Sequence, residues 1–98
     1  MTTAPITAPV EEARTRELTE MLPPYRVILH NDDHNSMDHV IHALIKSIPR
    51  MTSERAAELM LQAHNHGQVS VITCPLELAE LYRERLESYG LTATIDRA

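Results

Sequence analysis

The sequence predicts an α+β fold, in which a three-stranded antiparallel sheet carries three helices packed on it and follows a flexible N-terminal tail. Two observations lead to this prediction. Short β-type segments and helical patterns follow one another in the order β-α-α-β-α-β, which antiparallel pairing with helices on one face accommodates most simply. A chain of 98 residues, 43% of them apolar, is sufficient for one small domain with a single core.

The first 24 residues differ in composition from the rest of the chain. They are rich in Thr and Ala, hold four of the six prolines, and offer only a sparse apolar pattern for a short helix over 11–22. Such a segment buries too little apolar surface to order itself. We therefore predict a flexible extension over residues 1–24 and one folded domain over residues 25–98.

The first strand and the first helix follow from the apolar periodicity. Residues 25–29 place apolar side chains at alternate positions, which is typical of a strand. From 37 to 48 the apolar residues recur at i, i+3 and i+4, as on the buried face of a helix, and Pro49 ends this pattern. Asn35 or Ser36 can cap the helix at its start.

Local end signals bound the two later helices. Thr52 is a preferred N-cap for the second helix, and Gly67 is a natural stop for it. Pro75 suits the first position of the third helix, and Gly90 ends that helix. Alternating apolar residues predict the remaining two strands, at 69–73 and 91–95.

Composition excludes several classes of function. The net charge of −5, without a run of Lys or Arg, argues against binding to nucleic acid or to an anionic membrane surface. Cys74 is the one cysteine, so an internal disulfide is impossible. No apolar run approaches the roughly 20 residues of a membrane span. The start of the chain lacks the charged-then-apolar pattern of a signal peptide.

A polar loop between the first strand and the first helix is the most unusual stretch. Asn31, Asp32 and Asp33 supply acceptors there, more than a plain turn needs. If the first two helices pack together, a small apolar pocket with a polar rim would lie beside these acceptors. Such a pocket suits a ligand with an ammonium head and an apolar side chain. Its expected lining is Met37, Val40, Met60, Ala63 and His64.

Metal binding and catalysis are the rival functions. The six His residues have no zinc-type spacing, and His39 and His42 are expected on the solvated face of their helix. The polar loop lacks the central Gly and the final Glu of a calcium loop. No activated nucleophile accompanies the carboxylates, since Cys74 has no His assigned to it. We therefore predict no enzyme activity, no metal and no cofactor.

Two motifs resemble the ClpS adaptor family. The segment 25–33, which reads YRVILHNDD and is followed by Met37, is similar to the family signature. The segment 59–67, which reads LMLQAHNHG, is similar to the second hallmark, a Met and a His on one helix before a Gly. The resemblance extends from about Pro24 to the C-terminus. It implies a three-stranded antiparallel sheet with three helices.

The resemblance implies an adaptor for protein degradation. ClpS proteins bind substrates whose free N-terminal residue is Leu, Phe, Tyr or Trp, the N-degrons. They deliver these substrates to a Clp AAA+ unfoldase of the ClpA or ClpC type, which works with the ClpP peptidase. We accordingly expect a monomer in the bacterial cytoplasm or, for a plastid form, in the stroma.

The resemblance also assigns roles to individual residues. The substrate's α-amino group would be held by Asn31, Asp33 and His64, with Asp32 beside them. The hydrophobic pocket would be lined by Asn35, Met37, Val40, Met60, Ala63 and Leu91. Glu77 falls where the family uses an acidic residue against the N-terminal domain of the unfoldase. Ala63 stands where Val is common, which indicates a roomier pocket.

The alternative is a small α+β protein-interaction domain similar to those of the ribosomal stalk. Domains of this size commonly bind other proteins through one helix face. This alternative predicts no dependence on a free N-terminus in the partner. The two hypotheses therefore differ in a property that labelled peptides can measure.

Overall fold

The computed structural model describes residues 22–98. The predicted fold class and element order are confirmed by three strands and three helices: β1 (Pro24–His30), α1 (Met37–Ser47), α2 (Ser53–His66), β2 (Gln68–Pro75), α3 (Leu76–Ser88) and β3 (Thr92–Arg97). The expectations for residues 1–21, which cover most of the predicted extension and of its short helix, lie outside the described residues. The boundary of that extension stays a prediction.

The sheet is built around β1, which pairs antiparallel with both of the other strands in the order β2-β1-β3. Val27 lies opposite Ile72 of β2 on one side and opposite Ile95 of β3 on the other. The β1–β2 register shifts between Val27 and Ile28, where the pairing is irregular. Because β1 is central, the polar loop that follows it starts from the best-supported strand of the sheet.

The core lies between the sheet and the helices. Val27 and Leu29 of β1 are fully or nearly fully buried, since alternate residues of a strand face the same side. Each helix adds one fully buried leucine to the same cluster: Leu44, Leu59 and Leu86. Burial of a leucine side chain stabilises a fold by about 1.5–3 kcal/mol. These contacts fix α1 and α2 beside the end of β1.

The ends of the helices follow local chemistry. The Ser36 hydroxyl accepts from the backbone N–H of His39 at 3.1 Å, and the Thr52 hydroxyl accepts from that of Arg55 at 3.1 Å. Gly67 ends α2 in the left-handed region, with φ of 90°. Among the helices of residues 22–98, none combines the length and apolar character that crossing a bilayer requires.

Several predicted element ends need correction. The strands predicted at 25–29 and 69–73 extend over Pro24–His30 and Gln68–Pro75, because pairing across the sheet continues beyond the alternating residues. Pro75, predicted as the first residue of the third helix, is the last residue of β2 and the N-cap of α3. Its φ of −61° would fit a helix, but its ψ of 155° is extended, because Pro75 still lies opposite Pro24 in the sheet. The final strand begins at Thr92 rather than at residue 91, because Leu91 belongs to the turn after α3.

Candidate functional site

A cavity of about 300 Å³ opens where the polar loop meets α1 and α2. Its lining combines loop residues with the facing sides of both helices and the end of β1. The lining residues are Leu29, His30, Asn31, Asp32, Asp33, Asn35, Ser36, Met37, Val40, Met60, Ala63 and His64. Acceptors and apolar side chains therefore share one concave surface, which is the usual form of a small-ligand site.

The structure brings together most of the residues that the sequence singled out. Leu91 is the exception: it does not line the cavity but lies in the core, 4% exposed, beyond the end of α3. The cavity also includes Leu29, His30 and Ser36, which the sequence analysis did not nominate. Their position in sequence, directly beside the other residues of the polar loop, is the signal from which they could have been predicted to line the cavity. The functions of all these residues stay predictions.

The two adjacent aspartates of the loop differ in their surroundings. The Oδ1 atom of Asp32 accepts from the backbone N–H groups of His34 at 2.8 Å and Asn35 at 2.9 Å. Both carboxylate oxygens also accept from the Asn35 side-chain amide, at 3.2 and 3.0 Å. This arrangement folds the loop back on itself, as short Asx side chains commonly do. Asp32 is therefore occupied in shaping the loop.

Hydrogen bonding also sets the charge state of Asp32. Partial burial on its own raises the pKa of this carboxyl. The hydrogen bonds from the Asn35 side chain and from the backbone N–H groups of Asn35 and His34 outweigh burial, so the pKa lies below its usual value. Asp32 is thus ionised at neutral pH and holds the loop as a carboxylate.

Asp33 and Asn31 are exposed at the rim. Within residues 22–98 neither side chain has a hydrogen-bond partner, whereas the backbone N–H of Asn31 donates to the Gly67 carbonyl at 2.9 Å. That backbone bond fixes the start of the loop against the end of α2, where His64 is exposed. The rim therefore presents a carboxylate, an amide oxygen and an imidazole, and none of these three side chains makes a hydrogen bond to another residue of 22–98.

The floor of the cavity is apolar. Met60 and Ala63 on α2 are buried, at 8% and 3% exposed, and Val40 on α1 is partly buried beside the core. Met37, the first residue of α1, is 48% exposed at the mouth. An apolar group that enters between the two helices would lose contact with water while its polar end stayed at the rim.

His39 and His42 were expected on the solvated face of α1, and this is wrong for His39. Its Nε2 atom donates to the Tyr89 carbonyl at 2.6 Å, and its ring lies edge-on to that of Tyr89. The periodicity of α1 could not indicate this contact, because the end of α3 supplies it. In the part of the chain from 22 onward, no group of three His, Cys, Asp or Glu is arranged to hold a metal ion.

Glu77 lies in a second, separate groove of about 640 Å³ at the start of α3. The groove is formed by the chain just before β1, by the start of β1, by the end of β2 and by the first two turns of α3. Its lining residues are Leu22, Pro23, Tyr25, Pro75, Leu76, Glu77, Leu78 and Leu81. All four of these leucines are exposed, and a contiguous exposed apolar patch is typical of a surface that binds a partner. No lining residue belongs to both cavities.

Comparison with known proteins gives a consistent result. The family model described as ATP-dependent Clp protease adaptor protein ClpS matches residues 20–94. The ClpS adapter of Gloeobacter violaceus is 49% identical over 75 residues, which cover 76% of this chain and 81% of the relative. The ClpS adapter of Synechococcus elongatus is 40% identical over 87 residues, which cover 89% and 92% of the two chains.

Solved structures that are similar in fold as well as in sequence include one with a bound ligand. Agrobacterium tumefaciens ClpS2, determined in complex with L-phenylalaninamide, superposes with a TM-score of 0.72. The two sequences are 27% identical, and the match covers 78% of this chain and 98% of that one. The ligand of that protein carries a free α-amine and an aromatic side chain.

Proposed function

This chain belongs to the ClpS family of Clp protease adaptors, and from that premise we propose that its cavity binds the first residue of N-degron substrates. The preferred first residues are Leu, Phe, Tyr and Trp. The adaptor then delivers the bound protein to a Clp AAA+ unfoldase and its ClpP peptidase. The observation that carries this proposal is the cavity itself, with unused acceptors at the rim and an apolar floor.

The rim is suited to a protonated α-amino group. Asp33 offers a charged acceptor, Asn31 an amide oxygen, and His64 a ring nitrogen that accepts while the imidazole is neutral. Three acceptors match the three N–H donors of an ammonium group. Hydrogen bonds to charged groups contribute about 1.5–3 kcal/mol each. An acetylated N-terminus has a single N–H and no charge, so it would lose most of this contribution.

The floor is suited to a large apolar side chain. Burial of a leucine-sized group between Val40 and Met60 contributes about 1.5–3 kcal/mol, comparable to one of the rim hydrogen bonds. Met37 at the mouth would restrict side chains that branch at Cβ, and the small Ala63 leaves room for an aromatic ring. The phenylalaninamide bound by Agrobacterium ClpS2 has the same two elements, an amine and a large apolar group.

The groove around Glu77 is suited to the unfoldase. Its exposed leucines and single carboxylate would bind the N-terminal domain of a ClpA- or ClpC-type partner. Because groove and cavity share no lining residue, one adaptor molecule could hold substrate and unfoldase at once. We propose that the protein acts as a monomer, in the bacterial cytoplasm or, for a plastid form, in the stroma.

Fluorescence anisotropy with labelled peptides tests the proposal. Three peptides that differ only at the first residue would be compared: Leu, Phe and N-acetyl-Leu. We expect the two free peptides to bind and the acetylated one to bind at least about tenfold more weakly, since it loses charged hydrogen bonds. Equal binding of all three would instead support the interaction-domain alternative. If none of the three peptides binds, the assignment of the cavity to N-degron binding is refuted.

A further inference from the structure

We propose that Asn35 and His39 are positioning residues, which clamp the recognition loop and the first turn of α1 onto the turn between α3 and β3. The recognition loop is defined as residues 31–36, and the α3–β3 turn as Tyr89–Leu91. Neither residue needs to touch the substrate for this role. The consequence for substrate affinity rests on the proposed function, whereas the clamp itself can be tested without a substrate.

The Asn35 side chain joins two parts of the molecule that are far apart in sequence. Its Nδ2 atom donates to the carboxylate of Asp32 and also to the Gly90 carbonyl at 3.0 Å. An amide nitrogen has two hydrogens, so both are used in this bridge. The same side chain therefore closes the recognition loop on itself and ties it to the α3–β3 turn.

His39 makes the neighbouring contact. Its Nε2 atom lies 2.6 Å from the carbonyl of Tyr89, the residue before Gly90. A carbonyl can only accept, so this nitrogen must carry a proton and the ring is held in one tautomer when neutral. Its ring centroid lies 6.2 Å from that of Tyr89 in an edge-on arrangement. Two consecutive carbonyls thus receive donors from two residues that are four apart in sequence.

The α3–β3 turn is a firm support for these contacts. The backbone N–H groups of Tyr89 and Leu91 both donate to the Leu86 carbonyl, at 3.1 and 3.2 Å, and that of Gly90 donates to Glu87 at 2.9 Å. Leu86 and Leu91 are buried in the core. The turn is therefore anchored in the core at both ends, and it presents the carbonyls of Tyr89 and Gly90 as two fixed acceptors.

The clamp matters because the recognition loop has little other support. From Asn31 to Asn35 the loop makes no sheet pairing within the described residues, and one backbone bond connects it to Gly67. If the loop samples several conformations, the apparent affinity for a ligand is reduced in proportion to the fraction of molecules in the binding-competent conformation. The residues between Asn35 and His39 include Met37 at the cavity mouth, so the clamp also sets the distance between rim and floor.

Isosteric replacement separates hydrogen bonding from space filling. Asn35→Asp keeps the shape of the side chain but turns a carboxylate toward the Asp32 carboxylate and the Gly90 carbonyl. We expect it to weaken binding of a Leu-first peptide at least about tenfold, and more than Asn35→Ala does. Asn65→Asp adds the same charge at an exposed position and serves as the control. If Asn35→Asp binds as well as the unaltered protein, the proposal is wrong.

His39 has a matched control on the same helix. The ring of His42 also lies edge-on to Tyr89, with centroids 5.8 Å apart, but makes no hydrogen bond to a carbonyl among residues 22–98. His39→Phe keeps the aromatic contact and removes the donor, whereas His42→Phe changes only an exposed ring. We expect several-fold weaker peptide binding for His39→Phe and unaltered binding for His42→Phe. Equal effects would overturn the role assigned to the hydrogen bond.

Amide hydrogen exchange in the free protein tests the clamp without any peptide. The N–H groups of His34 and Asn35, which donate to Asp32, should exchange faster in Asn35→Asp and His39→Phe, while those of β1 stay protected. Unchanged exchange at both amides would overturn the clamp, and the proposed function would stand if the unaltered protein still binds peptides. Faster exchange in a protein that binds no free peptide would support the clamp and refute the function.

Discussion

At the scale of single residues, Asp32 and Asp33 have the same side chain and are adjacent, yet their environments are opposite. Asp32 accepts hydrogen bonds within the loop, and Asp33 faces solvent without a side-chain partner among residues 22–98. A free carboxylate at a rim attracts a cation more strongly than one already satisfied.

Asp33→Asn should weaken binding of a Leu-first peptide by about tenfold, because a charged acceptor becomes a neutral one. The melting temperature should stay unchanged, since the native side chain has no partner to lose within the described chain. Asp38→Asn, on the exposed first turn of α1, makes the same change in charge and is the control. Equal peptide affinities for both variants would contradict the assignment of Asp33.

Asp32 should make the shape of the loop depend on pH. Its pKa in the folded protein lies below the ordinary value of 3.8. A carboxyl with a lowered pKa contributes stability that is fully present above the ordinary value and is lost as the pH falls through the folded value. The side-chain amide resonances of Asn35, which donates to both oxygens of Asp32, should therefore keep their native positions down to about pH 4 and shift below it. A transition of these resonances above pH 5 would contradict the model of the loop.

At the scale of secondary-structure elements, the connection between α1 and α2 contains a strained residue. Arg50 has φ of 62°, and it is the one non-glycine residue with positive φ in the part of the chain that the structure describes. The left-handed region costs an ordinary L-residue about 1–2 kcal/mol, and Asn and Gly less. Arg50 itself does not line the cavity.

Arg50→Asn should raise the free energy of unfolding by roughly 0.5–1 kcal/mol, because Asn tolerates the left-handed region. Arg50→Ala makes a comparable loss of charge but keeps the strain, and should leave stability within about 0.5 kcal/mol. Urea denaturation of the three proteins measures the difference. A gain for Ala equal to that for Asn would locate the effect in the charge of Arg50 rather than in its backbone.

Local chemistry predicted the elements well because their signals are short-range. The caps at Ser36 and Thr52 and the stop at Gly67 depend on neighbours within four residues. Thr52 and Gly67 were named from the sequence, and Ser36 was named as one of two candidates with Asn35. The limits of β1 and the state of Pro75 depend on partners across the sheet, which no local pattern contains. Periodicity therefore identified each element but not where pairing ends.

The candidate site shows the same division. The acceptors of the polar loop and the apolar faces of α1 and α2 were nominated from motif and spacing, and the structure gathers them around one cavity. The position of Leu91 in the core and the contact of His39 with Tyr89 were missed. The His39 contact is a tertiary contact between residues fifty positions apart, and the burial of Leu91 is likewise set by the packing of the core and not by a local pattern.

At the scale of the whole molecule, cavity and groove are separate surfaces on one small domain. If Glu77 contacts the unfoldase as proposed, Glu77→Lys should abolish or strongly weaken binding to the isolated N-terminal domain of a ClpA- or ClpC-type unfoldase. Binding of a Leu-first peptide should stay within about twofold, because the altered residue does not line the cavity. Isothermal titration calorimetry measures the first effect and anisotropy the second.

Glu80→Lys is the matched control for this variant. Glu80 is exposed on α3 one turn after Glu77 and does not line the groove. It makes the same change in charge, so a long-range electrostatic effect would act on both variants. If both variants bind the unfoldase domain equally weakly, binding depends on the net charge of the adaptor, and the groove is not the binding site for the unfoldase.

The central position of β1 has a consequence for synthesis of the chain. Its partner β3 is the last element, so Arg26 forms its ion pair with Asp96, 70 residues away, and Asn35 reaches Gly90 across 55 residues. Contacts so distant in sequence form late, because long stretches of chain must first be ordered between them. A nascent chain that stops before the α3–β3 turn has emerged from the ribosome already carries every acceptor of the recognition loop. It still lacks the support that fixes their geometry, so the recognition loop reaches its final geometry only once the α3–β3 turn has been made and packed.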